Sequence, residues 1–96
     1  MNKVMERLLA GETFINKEPG NSMTPILKSK QPVLLAPTTW ELADVGDIVF
    51  AKVNGYFYTH LVIAKNKNRG CLIGNNHGYN NGWTKKVYGK VMEIVK

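Results

Sequence analysis

Residues 47–55 read Asp-Ile-Val-Phe-Ala-Lys-Val-Asn-Gly, the strongest strand and turn signal in the chain. Its apolar, β-branched run up to Val53 predicts a strand. Asn54-Gly55 is a strong signal for a two-residue β-hairpin turn, and residues 56–64 supply the return strand. The centre of the chain therefore predicts a pair of antiparallel strands around which a sheet is built.

Weaker patterns extend this sheet toward both termini. A helix is predicted over residues 2–10, with Asn2 as its cap and Gly11 at its end. Further strands are predicted over 12–17, 31–36, 71–73 and 87–95. Residues 37–46 are interpreted as a loop anchored by Trp40 and Leu42, and the Asn/Gly-rich residues 74–82 as a second loop. With no repeat or linker, residues 1–96 are interpreted as one mainly β domain of short antiparallel strands.

Composition restricts the function classes. The 96 residues carry a net charge of +6. A solvated basic face is the preferred interpretation of that charge, and nucleic acid remains an alternative partner. The single cysteine, Cys71, excludes an intrachain disulfide and is interpreted as a small core residue. No apolar run is long enough to span a bilayer and no secretory signal is evident, so we expect a cytoplasmic protein.

The candidate nucleophile lies in Gly20-Asn21-Ser22-Met23-Thr24-Pro25-Ile26-Leu27. Gly20 permits backbone torsions that a side chain would forbid, and Pro25 stiffens the segment after Ser22. A Ser held in such a bend presents its hydroxyl and its own amide to one point, which acyl transfer requires. On local grounds alone, ordinary turn chemistry is the favoured interpretation of a Gly-Asn-Ser run.

A candidate base lies on the return strand of the hairpin. His60 is the residue type most readily neutral and basic near pH 7, and a Ser hydroxyl needs such a neighbour to become a nucleophile. The alternative interpretation is a His at the edge of the core, bonded to a backbone carbonyl. His77 lies in the Asn/Gly-rich loop and is expected to be exposed. Asp47 is interpreted as a structural residue of a Gly-Asp turn.

Taken together, these motifs resemble the superfamily that joins type I signal peptidases with the LexA-like, self-cleaving domains of SOS-response repressors. The family's Gly-x-Ser-Met-x-Pro-aliphatic motif is matched by residues 20–27, and its Gly-Asp-Ile-Val strand by residues 46–49. His60 stands where the family places its base, Lys in most bacterial members and His in the endoplasmic-reticulum type. Gly74-Asn75-Asn76 matches a Gly-Asx-Asn loop, and Tyr88-Gly89-Lys90-Val91 matches the closing strand. The resemblance covers about residues 11–95.

The resemblance implies a partly open, coiled β-barrel and the hydrolysis of a peptide or protein substrate by a Ser22–His60 dyad. The Ser22 amide would hold the oxyanion, and the substrate would lie extended beside residues 12–18. The residues that it assigns to the oxyanion site and substrate groove are Gly20, Asn21, Met23 and Pro25. The implied chemistry needs no metal and no organic cofactor.

One position departs from the family pattern. Members with a His base carry an Asp after the Gly-Asx-Asn loop to orient the imidazole, and this chain offers Asn80 and Asn81 there. An Asn can orient a His, although it stabilises the imidazolium less than a carboxylate does. The alternative is therefore an inactive peptidase fold that binds a protein or nucleic acid, as in a phage protein acting on host machinery.

Overall fold

The computed structural model describes residues 2–18, 20 and 23–95 of the chain. Its elements in chain order are α1 (Lys3–Leu9), β1 (Phe14–Asn16), β2 (Val33–Pro37), β3 (Ile48–Val53), β4 (Tyr56–Asn66), β5 (Gly70–Gly74), β6 (Asn80–Thr84) and β7 (Val87–Ile94). The strands form one antiparallel sheet in the order β1-β2-β7-β3-β4-β5-β6. The predicted mainly β fold with a short N-terminal helix is confirmed, and the open sheet is consistent with a coiled barrel.

The predicted hairpin is the centre of this sheet. Asn54 and Gly55 have φ values of 50° and 86°, the left-handed torsions that a tight two-residue hairpin turn requires. The turn fixes the register, so that Val53 pairs with Tyr56 and Val49 pairs with His60. The position of His60 therefore follows directly from the turn.

Successive β3 residues face two separate cores. Val49, Ala51 and Val53 face the first core, and Phe50 faces the second. The first core also contains Ala43, Val62, Cys71, Ile73 and Val87. The second contains Leu8, Phe14, Met23, Leu27, Val33 and Leu35. This alternation is the period-two pattern of a strand buried on both faces.

The helix covers one face of the sheet. The Asn2 side chain accepts a hydrogen bond from the Met5 amide at 2.9 Å, which confirms the predicted cap. Leu8 of α1 packs against β7 at Gly89, where a Cβ would lie 2.6 Å from the Leu8 Cδ1 atom. A glycine in this strand therefore allows the helix to approach closely.

The sheet curls until its β6 edge meets β3. The Thr84 hydroxyl donates to the Lys52 carbonyl at 2.7 Å. At Gly82, a Cβ would lie 3.2 Å from the Val53 Cγ1 atom. Because β4 and β5 separate these two strands in the sheet, the contact shows that strands β3 to β6 wrap around the first core.

Two sequence-based expectations are wrong. The loop predicted over residues 74–82 ends early, because Asn80 and Gly82 pair with β5 as part of β6. Tertiary pairing here overrides the low strand propensity of Asn and Gly. Leu42 is 72% exposed and anchors nothing, whereas Trp40 packs on the first core as predicted and Ala43 is fully buried there.

Across the described residues, the structure contains no helix with the length and apolar character that a membrane crossing requires.

Candidate active site

His60 lies on β4 between the wall of the first core and a surface groove. Its side chain is only 7% exposed. Tyr58, two residues earlier on the same face of the strand, stacks on it with ring centroids 5.0 Å apart. Burial and stacking together restrict the orientation of the imidazole.

The ring is also fixed by a hydrogen bond. His60 Nδ1 lies 2.7 Å from Asn81 Oδ1. An amide oxygen accepts and cannot donate, so Nδ1 carries the proton in this contact. The neutral ring then has its lone pair on Nε2, which is the tautomer that a general base requires.

A β-bulge places Asn81 at this point. Ile73 pairs with Gly82 and Gly74 pairs with Asn80, so Asn81 is the extra residue of β6 between two regular pairs. Bulges commonly redirect a side chain in this way. Of the two amides predicted to orient the base, Asn81 makes the contact, and Asn80 is an exposed residue opposite Gly74.

Gly74 makes the close approach of these strands feasible. A Cβ at this position would lie 2.7 Å from Asn80 Oδ1 and 2.9 Å from both the Ile63 Cγ1 atom and the Tyr79 carbonyl oxygen. Such distances require the neighbours to move. The glycine of the Gly-Asn-Asn motif therefore has a steric role in placing β6.

The groove beside His60 is a cavity of about 190 Å³. Glu18, Gly20, Met23 and Thr59 are among its lining residues. Among the described residues, the lining also includes Asn16, Leu27, Lys28, Gln31, Val33, Phe57 and Tyr58, together with His60 itself. The groove thus lies between β4 on one side and the chain from β1 to β2 on the other.

A half-buried carboxylate belongs to this groove. Glu18 Oε2 accepts a hydrogen bond from the Thr59 hydroxyl at 2.7 Å, and Oε1 accepts one from the Asn16 amide at 3.2 Å. The Glu18 carbonyl accepts the Lys30 amide at 2.7 Å. These bonds join the segment before the candidate nucleophile to β4, next to His60. The sequence analysis missed Glu18, because no motif includes it.

Asn21 and Ser22 lie outside the described residues, and so does Pro19. Their neighbours on both sides are well anchored. Gly20 has a φ of 119°, and its amide donates to the Ser29 hydroxyl at 3.1 Å. Met23 is 3% exposed, and its carbonyl accepts the Leu27 amide at 2.8 Å. Gly20 and Met23 are among the residues that line the groove, whereas Pro25 is exposed and is not among them.

The loop after β5 holds the segment that follows Ser22. The Asn76 side chain donates to the Thr24 carbonyl at 2.9 Å, and the exposed His77 contacts the Thr24 hydroxyl through Nε2 at 3.2 Å. Asn75 shapes this loop, because its side-chain oxygen accepts the amides of His77 and Tyr79. The Asn-rich composition that predicts a loop is thus also the source of these contacts.

Two further reactive side chains, those of Cys71 and Asp47, have structural contacts. Cys71 is fully buried, its thiol donates to the Trp40 carbonyl at 3.6 Å, and burial raises its pKa. It is a core residue, as predicted. Asp47 accepts the Asp44 amide at 2.8 Å and pairs with Lys90 at 3.4 Å, which fits its predicted structural role. Among the described residues, no group of three or more His, Cys, Asp or Glu side chains is arranged to hold a metal ion.

Comparisons of the chain with protein-family models, with curated proteins and with solved structures found no match.

Proposed function

We propose that this protein is a small serine peptidase that cleaves an extended peptide, with Ser22 as the nucleophile and His60 as the general base. The observation that carries the proposal is the 2.7 Å contact between His60 Nδ1 and Asn81 Oδ1. This contact favours the tautomer in which Nε2 of His60 can accept a proton. The imidazole is buried and lies at the edge of the groove. Gly20 and Met23 line that groove too, and both are close neighbours of Ser22 in sequence.

In the proposed reaction the Ser22 hydroxyl attacks the scissile carbonyl and His60 accepts its proton at Nε2. His60 then returns that proton to the leaving amine, and water hydrolyses the acyl-enzyme by the same route. The Ser22 amide stabilises the developing oxyanion. Asn81 acts through His60 as a positioning residue, holding the ring in one tautomer.

The groove suits an extended peptide. Met23, Leu27, Val33 and Phe57 give it apolar walls, while Glu18, Lys28, Gln31 and Thr59 give it polar groups. A mixed lining of this kind binds apolar side chains and orients the backbone through a few polar contacts. Membership of the signal peptidase and SOS-repressor superfamily is part of the same proposal and rests on the ordered motifs in the sequence.

A fluorophosphonate probe tests this function. Such probes react covalently with activated serines, so we expect wild type to be labelled and the label to map to Ser22 by mass spectrometry. The Ser22→Ala variant should take up no label, and His60→Ala should react at least about a hundredfold more slowly because the base is lost. Equal labelling of wild type and Ser22→Ala would contradict the proposal.

A second candidate function follows from the amide at position 81. A carboxylate there would stabilise the imidazolium, and Asn81 cannot do so to the same degree. An inactive fold that uses the groove only to bind a peptide would tolerate this amide. Failure of wild type to react at any pH, together with failure of a folded Asn81→Asp variant to react, would favour that binding module.

A further inference from the structure

Charge is distributed very unevenly along the chain. All seven acidic residues lie between Glu6 and Asp47 or at Glu93. The 45 residues from Ile48 to Met92 contain no Asp or Glu. Seven cations lie in this acid-free part: Lys52, Lys65, Lys67, Arg69, Lys85, Lys86 and Lys90. Residues 48–92 therefore carry a charge of +7, which exceeds the net charge of +6 of the whole chain.

The fold gathers five of these cations at one end of the coiled sheet. We call Lys65, Lys67, Arg69, Lys85 and Lys86 the basic end, and all five are exposed. Cys71 of β5 pairs with Lys65 on one side and with Thr84 on the other, so the turns after β4 and β6 are neighbours. A Cβ at Gly70 would lie 2.8 Å from the Lys85 Cγ atom, which shows that the two turns touch.

Both tryptophans of the chain lie at the basic end. The Lys85 ammonium is 5.4 Å from the ring centre of Trp40, and the Arg69 guanidinium is 5.5 Å from that of Trp83. Each Trp is half-buried, and Trp40 also packs against the first core. The basic end therefore combines cations with two half-buried indole rings, and each ring has a cation over one face.

Nearby acids do not cancel this charge. The loop before β3 contains three carboxylates, and one of them, Asp47, is already paired with Lys90. Glu41 and Asp44 are exposed, and Lys65 bonds to the carbonyl of Glu41 rather than to its carboxylate. The basic end thus keeps a clear surplus of positive charge.

We propose that the basic end binds single-stranded nucleic acid. A phosphate backbone presents regularly spaced negative charges, which match dispersed lysines without a defined pocket. Exposed bases supply flat surfaces that stack on Trp and Arg, and this combination is typical of sites that bind single strands. An acidic peptide would neutralise the cations but would not use the two indole rings.

The fold also favours a single strand over a duplex. The described part of the chain has one helix, α1, which is seven residues long and carries none of the five cations. It packs on β7 through Leu8, so it is not available for reading a major groove. In a duplex the bases are already stacked on one another, which leaves no role for the tryptophans.

The tryptophans provide an intrinsic readout for the test. Titration of the full chain with oligothymidylate should quench tryptophan emission and raise the anisotropy of a labelled oligonucleotide. Each phosphate contacted on a single strand adds about −0.7 to the slope of log K against log salt. Lys85→Gln/Lys86→Gln should therefore lower the magnitude of that slope by about 1.4.

A matched control removes the same charge elsewhere. Lys3 and Lys17 are exposed and lie outside the acid-free part, so Lys3→Gln/Lys17→Gln should leave the slope unchanged. Trp83→Ala should weaken binding about tenfold, and Trp83→Phe should retain most of the affinity because a ring remains for stacking. Measuring these variants needs no peptidase activity, so the result is independent of the proposed function.

Three results would overturn the proposal. One is the absence of saturable binding at low salt. Another is equal loss of affinity in the Lys85/Lys86 and Lys3/Lys17 variants, which would show that only net charge matters. The third is equally tight binding of polyglutamate or of a matched DNA duplex, since neither offers free bases to the tryptophans.

Discussion

The β3–β4 hairpin and the β5–β6 hairpin each provide one half of the His60–Asn81 contact, yet they are built by different means. The first has a regular Asn-Gly turn, unbroken pairing from Val53 to Ile48 and a buried apolar run. The second has a bulge at Asn81 and a loop shaped by side-chain hydrogen bonds. It also has a glycine, Gly74, at which any side chain would force the neighbouring atoms to move. The pattern of apolar residues therefore specifies the scaffold, while individual polar and steric contacts specify the site.

The largest effect is expected in the regular hairpin. Phe50→Ala removes a ring that is 2% exposed from the second core, which should lower the free energy of unfolding by about 3–5 kcal/mol. Tyr56→Ala, at an exposed position of the same hairpin, should change it by less than about 0.5 kcal/mol. Urea denaturation measures both variants. Similar values for the two would show that this hairpin is not the structural centre.

A smaller loss is expected in the irregular hairpin. Gly74→Ala forces a Cβ against Asn80, Ile63 and the Tyr79 carbonyl, so we expect a loss of about 1–3 kcal/mol together with displacement of Asn81. Gly89→Ala is similarly crowded, against Leu8 on the helix side of the sheet. Both should lose stability, but only Gly74→Ala should slow the labelling of Ser22. If Gly74→Ala is labelled at the wild-type rate, the bulge at Asn81 is not needed for the reaction at Ser22.

The loop contacts should matter more for the site than for the fold. Asn76→Ala removes the hydrogen bond to the Thr24 carbonyl and should cost about 1 kcal/mol. Because Thr24 follows Ser22 closely, the labelling rate should fall as well. Asn68→Ala, in the exposed turn after β4, is the control and should leave the rate unaltered. An unchanged rate in Asn76→Ala would show that this loop does not position the nucleophile.

The smallest effect concerns pH. The pKa of Cys71 is raised above 9.0, mainly because burial penalises the thiolate and in part because Asp47 is near, although Lys65 opposes the shift. As pH rises, the Cys71 thiol therefore ionises in the unfolded chain before it does so in the folded protein. The contribution of the neutral thiol to the free energy of unfolding is complete below pH 9.0 and is lost as pH rises further. Stability of wild type relative to Cys71→Ala should fall at alkaline pH. A difference between them that is independent of pH would contradict this reasoning.

The sequence predicts the scaffold better than the site for a physical reason. The turn at Asn54-Gly55 and the alternation from Val49 to Val53 are local signals, and they suffice to place His60 opposite Val49. The start of β6 at Asn80 depends on pairing with β5 and on curling toward β3, which no local pattern records. The family resemblance makes Asn80 and Asn81 candidates for orienting His60. The bulge explains why Asn81 contacts the imidazole, whereas Asn80 pairs with Gly74.

Glu18 and Asn76 show the same limit. Glu18 has no motif, and its role at the groove appears only when Thr59, 41 residues away in sequence, comes within 2.7 Å. Asn76 belongs to a matched motif, but its bond to Thr24 spans 52 residues. Contacts between such distant polar side chains depend on the folded geometry, so composition and periodicity do not reveal them.

If Asn81 makes His60 an effective base for Ser22, the labelling rate must depend on the residue at position 81. Asn81→Asp should react faster than wild type because a carboxylate stabilises the imidazolium, and Asn81→Ala should react more slowly because the ring loses its orientation. The expected rates decrease in the order Asp, Asn, Ala, with urea denaturation showing that all three proteins are folded. Equal rates in the three proteins would show that residue 81 has no part in activating Ser22.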